Sequence, residues 1–185
     1  MDAFEHVVAS IMQEQGFWVR TAFKVELTKA EKVKIGRPST PRWEIDVLAY
    51  RPGDNILRVI ECKSYIDSRG VDMRAFDPET GFAKRFKLFN EPNTRKVVFR
   101  RLRIQLRDKE AIRIKPKMIL CLAAGKIVNN DLDSIRSHFK KRRWDLFDPE
   151  YIQKELTAIS ESGYENSVAS VTAKMLLRNA PTQKA

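Results

Sequence analysis

The chain has 185 residues, 43% hydrophobic and 32% charged, which supports one folded core and excludes wholesale disorder. No apolar run reaches membrane-spanning length, the N-terminus lacks a signal-peptide stretch, and two distant cysteines, Cys62 and Cys121, exclude a cysteine-only zinc site. A net charge of +11 favours a polyanionic partner, nucleic acid ahead of an acidic membrane, and only two histidines argue against histidine-based nuclease or metal chemistry.

Phe4, Val7, Val8, Ile11 and Met12 recur at helical spacing and predict a first helix ending at Gly16. Alternation then takes over. Phe17, Val19, Thr21, Phe23, Val25 and Leu27 are expected on one face of a strand, with Arg20, Lys24 and Glu26 on the other. A basic loop over 28–42 leads to two further strands, about Trp43–Tyr50 and Ile56–Ser64. Between them, Gly53-Asp54 suits the centre of a II′ turn, with glycine at positive φ. In 66–93, Phe82, Phe86 and Phe89 suggest a short amphipathic helix carrying Lys84, Arg85 and Lys87 opposite. Residues 94–113 predict a long helix with Val98, Phe99, Leu102 and Leu106 on one arc and Lys96, Arg100, Arg103 and Arg107 on the other. Lys117–Ala123 reads as a buried strand, 131–143 as a helix ending in a basic run, and Asp148-Pro149 as the cap of a further helix. The order gives an α/β fold with a mixed sheet, in an α-β-β-β-α-β core with added C-terminal helices.

A turn centred between Gly53 and Asp54 places Asp46 across from Glu61, and Glu44 across from Lys63, provided the loop has an even length. Alternation then puts all four on one face. Facing carboxylates repel unless a cation lies between them, and a hard divalent ion with oxygen ligands meets that need. The backbone carbonyl of Cys62 adds a third ligand, while its thiol alternates away into the core. Bound magnesium lowers the pKa of a water and stabilises charge on a phosphodiester, and Lys63 is placed to hold that water or the scissile phosphate. The structural alternative is a set of cross-strand contacts at a strand end. Lys63 is nonetheless the only lysine with an acid two residues upstream.

Phe4-Glu5, Gly16-Phe17-Trp18-Val19, Asp46 in Glu44-Ile45-Asp46-Val47, and Glu61-Cys62-Lys63 together resemble the PD-(D/E)XK nuclease superfamily. The similarity is closest to its branch of Holliday junction resolvases and Mrr-like restriction enzymes. It covers roughly residues 1–65, and Lys117–Ala123 fits a later strand. It implies a restriction-endonuclease-like fold in which Asp46 and Glu61 bind Mg2+ or Mn2+, Lys63 assists catalysis, and Glu5 reaches the metal through a water. The proline that the family often places before the aspartate is Ile45 here. The basic segments 28–42 and 66–93 exceed what a minimal resolvase needs.

The expectation is therefore a nuclease core over 1–127, a C-terminal helical extension over 128–180 and a disordered tail over 181–185. Its partner is DNA, with RNA as an open alternative. Lys34, Arg37, Arg42, Arg100, Arg103 and Arg107 are candidates for phosphate contact, though a charged helix face is commonly just solvated. Gln105 is a weaker candidate for approaching the lysine, and Glu44 for orienting it. The expected setting is cytoplasmic, and a homodimer is compatible with the resemblance. A catalytically silent nucleic-acid-binding module of the same fold is the alternative function.

Overall fold

The computed structural model describes residues 2–39, 42–163 and 167–178; the expected tail lies outside them. Asp2 caps the first helix, α1 (Ala3–Glu14), by accepting the Glu5 backbone N–H at 2.8 Å. The helix buries Val8, Ala9, Ile11 and Met12. Gly16, at φ 78, then turns the chain towards strand β1 (Trp18–Val25). Within the expected basic loop lies a short helix, α2 (Lys29–Lys34), started by a reciprocal Thr28–Glu31 capping box. Thr28 followed three residues later by glutamate was a legible signal for it.

Strands β2 (Trp43–Arg51) and β3 (Ile56–Lys63) form the anticipated hairpin. Its pairs run from Arg51↔Ile56 to Val47↔Ile60, the register that the even-loop argument requires. The turn chemistry differs from expectation. Positive φ falls on Asn55, at 55°, and Gly53 is not among the positive-φ residues. Asn55 is tied down by its side chain, which accepts from the Tyr50 hydroxyl and donates to the Ile114 carbonyl, each at 3.0 Å. Asparagine tolerates this conformation because its short amide can make such bonds.

The sheet order is β1-β2-β3-β4-β5. The first three strands are antiparallel, β4 (Lys117–Ala124) is parallel to β3, and β5 (Asp145–Phe147) is parallel to β4. This is an open, mixed α/β sheet. A short helix, α3 (Lys87–Asn90), and a long one, α4 (Pro92–Asp108), lie in the crossover from β3 to β4. One face of the sheet packs on Val98, Leu102 and Leu106 of α4 and on Ile135 and Phe139 of α5 (Leu132–Arg142). The other packs on α1, α6 (Pro149–Glu161) and α7 (Val168–Ala173) through Ile11, Met12, Ile152, Ile159 and Ala173. Asp148 caps α6 by accepting the Tyr151 N–H at 2.9 Å, ahead of Pro149 as expected.

Two stretches depart from the sequence reading. The segment expected to be a helical extension contributes β5, so the sheet continues beyond residue 127. Segment 66–93 holds two 3-10 turns, Met73–Phe76 and Gly81–Arg85, before α3. Phe86 and Phe89 are buried against Phe76, but Phe82 is 47% exposed. Among the described residues no helix is long and apolar enough to cross a membrane.

Candidate active site where the hairpin opens

The single-face alternation expected of β1 breaks at Ala22, whose φ is 50°. Val19 packs in the α1-side core, whereas Phe23 and Val25 pack in the α4-side core. Its neighbour β2 changes face at the matching position: Val47 belongs to the α1 side and Ile45 to the α4 side. The β1–β2 pairs Thr21↔Val47 and Phe23↔Ile45 flank this roll, and the residue of β2 between them is Asp46. Its carboxylate therefore reaches sideways towards β3, where Oδ2 accepts the Cys62 N–H at 2.7 Å. In a strand the N–H and C=O of one residue point the same way. The Cys62 carbonyl is thus aimed into the same opening between β2 and β3.

Glu61 follows Leu57 and Val59 along the face of β3 that packs on the α4 side. Its Oε2 is buried and finds no hydrogen-bond partner among the described residues. Burial, with the Asp46 charge adding to it, pushes the carboxyl up to about 7, against the pull of Lys63 and Lys87. Burial also raises Asp46, while the Cys62 N–H and Lys63 hold it down. Glu5, on the first turn of α1, is raised by burial and then by the Asp46 and Asp2 charges. Glu5 on α1 and Glu61 on β3 thus both feel the Asp46 charge on β2, a concentration of negative charge that a bound cation would relieve.

Lys63 extends from the end of β3 with its amine 5.8 Å from the centre of the Phe86 ring. The Cys62 thiol is buried on the α1 side and burial pushes its pKa upward, so it is a core group and not a nucleophile. Glu44 is exposed and pairs in register with Lys24 on β1; its charge is felt by Asp46, and no ion pair joins it to Lys63. The ladder to β3 ends at Val47↔Ile60, so neither the expected Asp46–Glu61 pair nor the expected Glu44–Lys63 pair forms. The four residues do not share one face, because the roll at Ala22 turns Asp46 towards the Cys62 N–H.

The donor set fits a hard divalent cation. It offers two carboxylates, one with a buried oxygen awaiting a partner, and a backbone carbonyl. Among the described residues no three His, Cys, Asp or Glu side chains make a metal cluster on their own. Carbonyl and water ligands would complete the shell, as magnesium commonly requires.

Of the residues considered for DNA contact, Arg100, Arg103 and Arg107 are exposed on α4, opposite its buried Val98, Leu102 and Leu106. Lys34 is exposed, and Arg42 is also free of the core at 3.8 Å from Glu26. Arg37 is engaged elsewhere, ion-paired with Glu91 at 2.6 Å and lying over the Trp43 ring. Gln105 does not approach Lys63: it donates to the Lys24 carbonyl and accepts from the Glu26 N–H, tying α4 to β1. Lys87, expected only on the polar side of a short helix, also bears on the site, since its charge reaches Glu61. Two 3-10 turns break its segment before α3, so spacing could not place it there. No protein-family model, curated protein or solved structure matches the chain.

Proposed function

We propose that the protein is a magnesium- or manganese-dependent DNA endonuclease with a restriction-endonuclease-like fold. The observation that carries this reading is the approach of Asp46 and Glu61 where β2 and β3 part, with one Glu61 oxygen buried and without a hydrogen-bond partner among the described residues, next to the Lys63 charge. A buried carboxylate oxygen without a donor costs free energy unless a cation compensates it. Asp46, Glu61 and the Cys62 carbonyl would hold the ion, and Glu5 would hold a water of its shell. When bound, such an ion would supply a nucleophilic water and Lewis-acid stabilisation of the phosphodiester. Lys63 orients the attacking water or offsets charge on the scissile phosphate, and Asp46 fixes the opening through its bond to Cys62. The exposed Arg100, Arg103 and Arg107 grip the phosphate backbone.

The test is cleavage of plasmid, branched and single-stranded DNA with magnesium or manganese by wild type, Asp46→Ala and Lys63→Ala. Loss of cleavage in both variants is expected. Cleavage that survives both removes the site, and binding of DNA without any cleavage assigns the chain to the silent binding-module alternative.

A further inference from the structure

Immediately beyond Lys63 the chain builds a second feature. A cleft of about 220 Å³ is lined by Tyr65, Arg69, Asp72, Phe82, Arg85 and Phe86 among others. It shares Phe86 with the candidate active site, since the Lys63 amine lies 5.8 Å from that ring. The exposed Phe82 ring, the half-buried Tyr65 and two arginines, over a floor that includes the buried Phe86, match a flat, π-faced ligand attached to a phosphate chain.

The cleft is braced. Asp72 is buried, with 6% of its side chain exposed, and it holds Arg74 through two hydrogen bonds of 3.1 and 2.6 Å. Arg74 in turn lies 4.7 Å over the centre of the Phe82 ring. This chain of contacts fixes Phe82 as a platform while 47% of it remains exposed. Free rotamers would otherwise be lost on ligand binding, so a pre-set ring is a better stacking surface. The second Asp72 oxygen, Oδ1, is buried and lacks a hydrogen-bond partner among the described residues. An acceptor left open beside aromatic rings suits an exocyclic amino group, the donor that adenine, cytosine and guanine carry. Arg69 and Arg85 are exposed at the rim and form no ion pair among the described residues, which leaves them to the adjacent phosphates.

We propose that this cleft takes one unpaired nucleobase next to the scissile phosphate, stacked on Phe82 with its amino group directed at Asp72. This rests on the nuclease reading and narrows its substrate to DNA with an unstacked base at the cut: a single strand, a flap or a bulge. A fully stacked duplex cannot fill the cleft, because its bases are not free to leave the stack without paying unpairing energy.

The test uses oligonucleotides carrying 2-aminopurine, either unpaired in a bulge or single strand or fully paired in a duplex. Binding is measured in EDTA so that no strand is cut. Wild type is expected to quench the unpaired probe and to prefer it over the paired duplex. In Phe82→Ala that preference is expected to fall by roughly five- to a hundredfold, the loss typical of removing one base-stacking ring. Asp72→Asn, which also loosens the Arg74 brace, should weaken binding of adenine-bearing strands more than that of thymine-only strands. An unchanged preference in Phe82→Ala, or equal weakening for paired and unpaired DNA, overturns the proposal. The nuclease reading is tested separately, by magnesium-dependent cutting in wild type: cutting with no Phe82 effect sinks only the cleft, and no cutting sinks the parent reading.

Discussion

The Asp46 carboxylate accepts the Cys62 N–H at 2.7 Å just beyond the last paired rung of β2 and β3. A side chain thereby serves a backbone donor that the neighbouring strand no longer reaches, and the same bond fixes one carboxylate at the mouth of the opening. Removing it leaves a partly buried N–H unserved. Asp46→Ala is expected to destabilise the metal-free fold by about 1–3 kcal/mol in urea unfolding. Asp46→Asn keeps an acceptor oxygen and should lie close to wild type in stability while losing DNA cleavage. Equal stability of Ala and Asn variants would mean that the bond does not support the hairpin end.

Glu61 gives a pH signature. Its folded-state value of about 7 stands above the ordinary 4.5, so the folded chain keeps a proton that the unfolded chain has released between those values. Stability without metal is therefore expected to be greatest below the lower value and to fall as pH rises through this window, by at most about 3 kcal/mol. Glu61→Gln should flatten that slope in thermal melts recorded in EDTA. Magnesium needs the ionised carboxylate, so its stabilising effect should be larger at high pH than at low pH. A slope that persists in Glu61→Gln would assign it to other groups.

Ala22 sits at φ 50°, a conformation that L-residues with bulky side chains avoid. Ala22→Val is expected to cost roughly 1–2 kcal/mol although valine is the better strand former, and Ala22→Gly to be neutral or slightly stabilising. Chemical denaturation of the two variants checks this. A neutral valine variant would show that the roll at Asp46 does not depend on the left-handed residue beside it.

Arginines on α4 divide by role. Arg101 is ion-paired with Glu31 of α2 at 2.8 Å and Arg100, Arg103 and Arg107 are exposed. Replacing the exposed three with alanine should lower the salt dependence of DNA binding by up to about 0.9 in log–log slope for each phosphate no longer neutralised, with little change in melting temperature. Arg101→Ala is expected to do the reverse, loosening α2 while leaving the salt slope near wild type. Fluorescence anisotropy across a salt series separates the two, and an unchanged slope in the triple variant would remove α4 from the DNA interface.

The amino-acid sequence by itself determined much of the hairpin. It offered the register from Arg51↔Ile56 to Val47↔Ile60 on condition of an even loop, and the structure supplied that condition by extending β2 to Arg51, which leaves four residues before β3. It also determined α1, β4, the Asp148 cap and the body of α4, which starts at Pro92 and ends at Asp108 where the spacing predicts 94–113, because local periodicity and capping chemistry are written in neighbouring residues. Tertiary structure alone decided the rest. The three-residue β5 carries too short a pattern to be read and exists because β4 offers an edge to pair with. Gln105 and Arg37 find partners in distant segments, which spacing cannot reveal. The roll at Ala22 is the decisive case: alternation assumes a regular strand, and one residue at positive φ turns Asp46 from a face of the sheet into the gap beside Cys62.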